Sequence, residues 1–107
     1  MAKHTALILT QDGNVEEVEY DEKDSLATLR AAVSGPDQNG QGWIESVSYW
    51  TKNIDAYVNE EFLYTSGLSL NPFGANIGQQ WYGNIVIPKI TDTKRARLTK
   101  LGLLPSL

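Results

Sequence analysis

The chain opens with Thr5-Ala6-Leu7-Ile8-Leu9-Thr10, a run that is apolar at both odd and even positions. Such a run predicts a strand covered on both faces and therefore interior in its sheet. Gln11-Asp12-Gly13-Asn14 follows, and because Asp-Gly reaches positive φ at low cost, it predicts a hairpin turn. From Val15 to Tyr20 the pattern alternates, with Val18 and Tyr20 on one face and Glu17 and Glu19 toward water. Asp24 suits a helix N-cap, a role that Ser25 could share. Leu26, Leu29 and Val33 then recur at three- and four-residue spacing until Gly35 and Pro36. This predicts a helix over Ser25–Ser34, lying on one face of a sheet.

Pro36 to Gly42 reads as a polar, mobile loop. Trp43 to Trp50 reads as a strand, with Trp43, Glu45, Val47 and Tyr49 on one face and Ile44 and Trp50 on the other. Thr51-Lys52-Asn53 turns the chain into a partner strand from Ile54 to Asn59, a second hairpin that Glu60 and Glu61 terminate. In the Gly-, Ser- and Asn-rich stretch Thr65–Gln80, Asn71-Pro72 suits an N-cap followed by Pro at the first helical position, predicting a short helical turn over Pro72–Ile77. Trp81–Ile87 reads as the last strand, with Ile85 and Ile87 on one face and Asn84 and Val86 on the other, ending at Pro88. A terminal helix is expected over Thr91–Lys100, with Leu98 and Leu101 on one side. The fold class that follows is α+β: an antiparallel or mixed sheet of about five strands with one main helix packed on one face. Residues 1–88 form a single domain in this reading, and 89–107 a basic C-terminal tail with a short helix.

Composition narrows the classes. The chain has 107 residues, 41% apolar and 21% charged, which suits one globular domain with its own core. No run approaches a membrane span. Met1-Ala2-Lys3-His4 leads straight into the first strand, so a cytoplasmic protein is expected. The absence of cysteine excludes disulfides, thiolate metal sites and cysteine nucleophiles. Net charge is −4, with seven of thirteen acids between Asp12 and Asp24 and four of nine bases between Lys94 and Lys100. An acidic domain is a poor nucleic-acid binder, since phosphate contacts need basic surface. A DNA mimic would need a denser negative field than this. The plain alternative is that the acids form a solvated strand face.

Three segments carry a resemblance: Tyr57-Val58-Asn59-Glu60-Glu61, Gly67-Leu68-Ser69-Leu70-Asn71-Pro72-Phe73-Gly74-Ala75, and Gly83-Asn84-Ile85-Val86-Ile87. Together they resemble a family of small domains of unknown function found in bacteriophages and mobile elements. Its pattern is a strand ending V-N-E-E, then G-L-x-x-N-x-x-A, then a closing strand that begins with Gly. The resemblance runs from about Thr5 to Ile87. Two features depart from it: the loop Pro36–Gly42, and Phe62-Leu63-Tyr64-Thr65-Ser66 standing between the acids and Gly67. The resemblance implies a phage-type accessory protein made in the bacterial cytoplasm, acting on the host or its defences. It implies no catalytic mechanism.

The residues leave several chemistries to weigh. His4 is the only histidine and sits near a chain end, so a solvated side chain is expected rather than a triad member. Glu60 and Glu61 are adjacent on a strand and point to opposite faces, so they do not make a glycosidase pair. A small hydrolase using Glu60 or Asp55, or a magnesium site on one or two of these carboxylates, remains an alternative. Gly67 to Gly78 lacks the Lys of a phosphate loop and reads either as a structural loop or as a binding loop. In the first case Asn59 and Asn71 tie backbone groups together. In the second, Asn59, Asn71, Asn76 and Asn84 read a ligand's edge while Trp43, Trp50, Trp81 and Tyr82 supply flat surface. No catalytic residue, metal ligand or cofactor is assigned. The leading expectation is a non-enzymatic protein that binds a host protein through Trp50, Trp81 and Tyr82. The alternative is a sponge for a nucleotide-type signal. A nucleic-acid arm at Lys94–Lys100 would bind only weakly. Membrane partners are not expected, and an edge strand leaves pairing with a second copy open.

Overall fold

The computed structural model describes residues 3–51, 54–61, 67–75 and 80–100. The expected fold class is present. Five strands, β1 (Lys3–Leu9), β2 (Val15–Asp21), β3 (Ile44–Thr51), β4 (Ile54–Asn59) and β5 (Ile85–Ile87), form one antiparallel sheet in the order β2-β1-β5-β4-β3. The main helix is α1 (Ser25–Val33), packed on the sheet; α2 (Pro72–Ala75) is a single turn and α3 (Asp92–Lys100) follows the last strand. β1 is interior, as its two-sided apolar pattern predicts. The middle strand, however, is β5, which returns from the far end of the chain to pair with both β1 and β4. No helix among the described residues is long and apolar enough to cross a membrane.

Period-two alternation divides the core into two layers. On one face Leu7, Leu9, Ile54, Ala56, Val58, Ile85 and Ile87 are fully buried together with Leu98 of α3. On the other, Ala6, Tyr20 and Val86 pack with Leu29 and Val33 of α1. α3 therefore contributes a core residue, and its Arg95 pairs across the sheet edge with Glu17. Lys94 donates to the Lys89 carbonyl. The acidic start and basic end of the sequence thus meet in space.

Several local expectations change. Asp24 stands at the N-cap but makes no side-chain capping bond, because a 3-10 turn at Glu22–Asp24 feeds directly into α1. Leu26 is 54% exposed; it shares the inner side of the helix, but its first turn lies ahead of the packed region. His4 is not a solvated side chain: it is half-buried, stacks on Tyr20 at 5.6 Å between ring centroids, and contacts the Glu22 carboxylate. The strand expected over Trp81–Ile87 is broken at Gly83, whose φ is +89°. Before the break, Tyr82 bridges Leu70, and only Ile85–Ile87 joins the main sheet. A Cβ on Gly83 would also come within 3.1 Å of Leu68. β3 begins at Ile44 rather than Trp43.

The loop after α1 is tied down, contrary to the expected mobility. Gly42 N–H donates to Ser34 Oγ at 2.7 Å, and Gly35 N–H donates to Gln38 Oε1 at 2.8 Å. Arg30 donates from Nε to the Gly42 carbonyl at 2.9 Å and from Nη2 to the Gln41 carbonyl at 2.7 Å.

Two outcomes test this packing. Leu29→Asp should cost about 3–5 kcal/mol in urea denaturation, since it buries an unpaired charge, whereas Leu26→Asp should stay within about 0.5 kcal/mol of the parent. The second concerns acid. The hydrogen bond from Lys89 is the largest influence and holds the Glu22 carboxyl below its usual 4.5; desolvation opposes it, and His4 adds to the lowering. A carboxyl lowered in the folded state stabilises above its unfolded value, and that contribution is lost as pH falls through the folded value. Melting temperatures measured from neutral to acid pH should therefore fall less steeply below 4.5 in Glu22→Gln than in the parent.

Candidate functional site

The asparagines singled out by sequence do not converge on one site. Asn71 is fully buried and its amide is saturated. Nδ2 donates to the Leu9 and Gly83 carbonyls, both at 2.8 Å, and Oδ1 accepts from the N–H groups of Phe73 and Gly74. It is thus the N-cap that Asn-Pro predicts for α2, and also a staple between β1 and the approach to β5. Asn59 is likewise fully buried. Its Nδ2 donates to the Val33 carbonyl at the end of α1 and to Gln38 Oε1, and its Oδ1 accepts from Glu61 N–H. Both side chains do the loop-tying work that was one of the two readings open to them. Asn76 lies outside the described residues.

Asn84 differs. It is half-buried, accepts from Gln11 N–H at 3.0 Å and donates to the Ala32 carbonyl at 2.9 Å. An amide has two donors and two acceptor sites, so among the described residues one of each remains. Asn84 stands where two adjoining cavities meet beneath α1. One, about 440 Å³, lies between Ile8 and Val18 on the sheet and Thr28, Ala31 and Ala32 on the helix. It exists because these helical residues are small where α1 crosses the hairpin. The other, about 350 Å³, is polar and is bounded by Thr10, Gln11 and Asp12 on the hairpin turn and by Ser34, Gly35 and Pro36 after the helix. Glu16 borders both cavities. The described residues lining this groove include two carboxylates, Asp12 and Glu16, and no Lys or Arg.

The aromatic residues also separate. Trp81 packs against the Leu7–Leu98 layer, on the sheet face away from α1. Tyr82 is half-buried beside the Leu70 bridge. Trp50 falls in β3, and its side chain lies outside the described residues. The aromatic residue most open to solvent among those described is Trp43, 53% exposed. Arg30 stacks its guanidinium 4.0 Å from the Trp43 ring centroid while both ends of its fork hold the neighbouring carbonyls. The Trp43 carbonyl is held in turn by Glu60 N–H at 2.8 Å. Sequence placed Trp43 on a strand face and among the aromatics that could supply flat surface to a ligand, but not among the host-binding residues. Arg30 in the last turn of α1 was an available signal, though its partner could not be read from a separation of thirteen positions.

Glu60 and Glu61 are both exposed, and Glu61 accepts from Gln38. Asp55 is exposed on β4. The described residues contain no group of three or more His, Asp or Glu that could hold a metal ion. Comparison with known proteins finds no matching family model, curated protein or solved structure.

Asn71 offers a direct test of the stapling role. Asn71→Ala should cost about 2–4 kcal/mol, because it strands two buried carbonyls and two helix N–H groups. Asn71→Asp should cost at least as much, since it keeps the cap but aims an oxygen at Leu9 and Gly83. Urea denaturation of both variants, with the Leu9 and Gly83 carbonyl shifts followed by NMR, checks the assignment.

Proposed function

We propose that this chain is a non-enzymatic binding protein of the phage-accessory kind, acting on a host protein. The observation that supports this reading is Trp43. A large aromatic, half out of water and already held in one orientation by a cation and by its own backbone, loses little entropy on docking. It stands immediately before β3, which among the described residues is an edge strand pairing only with β4, so a partner meets an anchor and a backbone edge together. This moves the anchor of the expected host-binding surface from Trp81, which packs on the core, to Trp43. The sponge alternative is less well supported, because the groove containing Asn84 carries two carboxylates that would repel phosphate.

Trp43→Ala tests the reading. Arg30 keeps its two carbonyl partners in this variant, so the melting temperature should stay near that of the parent. Affinity for a host protein co-purified with the parent should fall about thirtyfold, as for an anchor worth about 2 kcal/mol. Unchanged affinity with an unchanged fold would end the role of Trp43. A nucleotide-sized adduct in native mass spectrometry of the parent would favour the sponge instead.

A further inference from the structure

We propose that the groove between α1 and β2 binds a lysine- or arginine-bearing segment of a partner protein, laid beside the open edge of β2. This surface is separate from Trp43, and either can fail alone.

Shape and charge set the occupant. One half of the groove is walled by Ile8, Val18, Ala31 and Ala32, and the other by polar groups and Asp12, with Glu16 between them. An apolar slot leading to carboxylates matches a side chain with a methylene stem and a cationic head. On the groove side of β2, Glu16 is the carboxylate without a cation among the described residues. Glu17 is paired with Arg95, and Glu22 with His4 and Lys89, whereas Glu16 has no ion pair among the described residues. It sits opposite Ile8 in the hairpin register, so its carboxylate lies over the β1–β2 face that forms the groove floor. Asn84 offers its remaining N–H and lone pair at the same point.

The edge decides between partners. Among the described residues β2 pairs only with β1, which leaves its outer backbone groups open. A second copy of this chain pairing there would set Glu16, Glu17 and Glu19 against the same acids, and like charges directly opposite are destabilising. A basic strand meets the reverse situation. Residues of an added strand that face α1 lie about 5 Å from β2, so a long side chain reaches across Val18 into the slot.

The test uses the intact protein and two synthetic peptides of equal length, one alternating valine with arginine and one alternating valine with glutamate. The arginine peptide should bind and shift the methyl resonances of Ile8, Val18, Ala31 and Ala32; the glutamate peptide should not. Glu16→Lys should weaken binding at least tenfold, and Glu19→Lys, the same charge change on the other face of the strand, far less. Ala31→Leu, which fills the slot at an exposed helical position without changing charge, should also weaken it, whereas Trp43→Ala should leave it unchanged. The proposal is overturned if the groove methyls do not move, if Glu19→Lys weakens binding as much as Glu16→Lys, or if free arginine amide binds as tightly as the peptide. The last result would make the groove a small-cation site.

Discussion

The three-residue strand β5 holds this fold together. Without it the sheet is two separate hairpins, β1–β2 and β3–β4, and an isolated two-stranded hairpin is marginal in water. Ile85, Val86 and Ile87 are all fully buried, with Ile85 and Ile87 in one layer and Val86 in the other. So short a strand has few ladder bonds with which to hold its place. Side-chain amides supply the rest. Asn71 grips the Leu9 and Gly83 carbonyls just before it, and Asn84 joins the hairpin turn at Gln11 to the Ala32 carbonyl of α1. The cost of burying the Asn71 amide is offset because its polar valences are met inside the chain.

The same economy shapes the end of α1. Arg30, Ser34, Gln38 and Asn59 close a polar network in which the carbonyls and N–H groups left by the helix terminus find partners. That network turns a Gly- and Gln-rich loop into a fixed mount for Trp43. A surface tryptophan is ordinarily free to move; here the cation that stacks on it is immobilised by two backbone carbonyls. The binding reading rests on that rigidity more than on exposure alone.

The two candidate surfaces lie at α1 for a physical reason. The helix covers one face of the sheet with a narrow stripe, Leu29 and Val33, and leaves Ala31, Ala32 and Thr28 too small to close the space above the β1–β2 hairpin. The opposite face, filled by Leu98, Phe73 and Trp81, has its aromatic residues drawn into packing. Surface acids are likewise unevenly used. Glu17 and Glu22 have cations, while Asp12 and Glu16 at the groove have none among the described residues.

Residues repeating every two or every three to four positions determined the elements, because secondary structure answers to periodicity that a short window contains. β1, β2, β4, α1 and α3 could be read that way, as could the Asp-Gly turn and the Asn-Pro start of α2. The break at Gly83 could not, since it depends on Leu68 and on the pairing of Ser69–Asn71 with Trp81–Gly83. Nor could the roles of the polar residues. An asparagine in sequence is equally a ligand contact or a staple, and the difference lies in partners such as Leu9, 62 positions from Asn71. Tertiary structure alone decided which amides were spent, which tryptophan stayed at the surface and which carboxylates met a cation. Each of those outcomes depends on which groups a distant part of the chain brings within hydrogen-bonding distance.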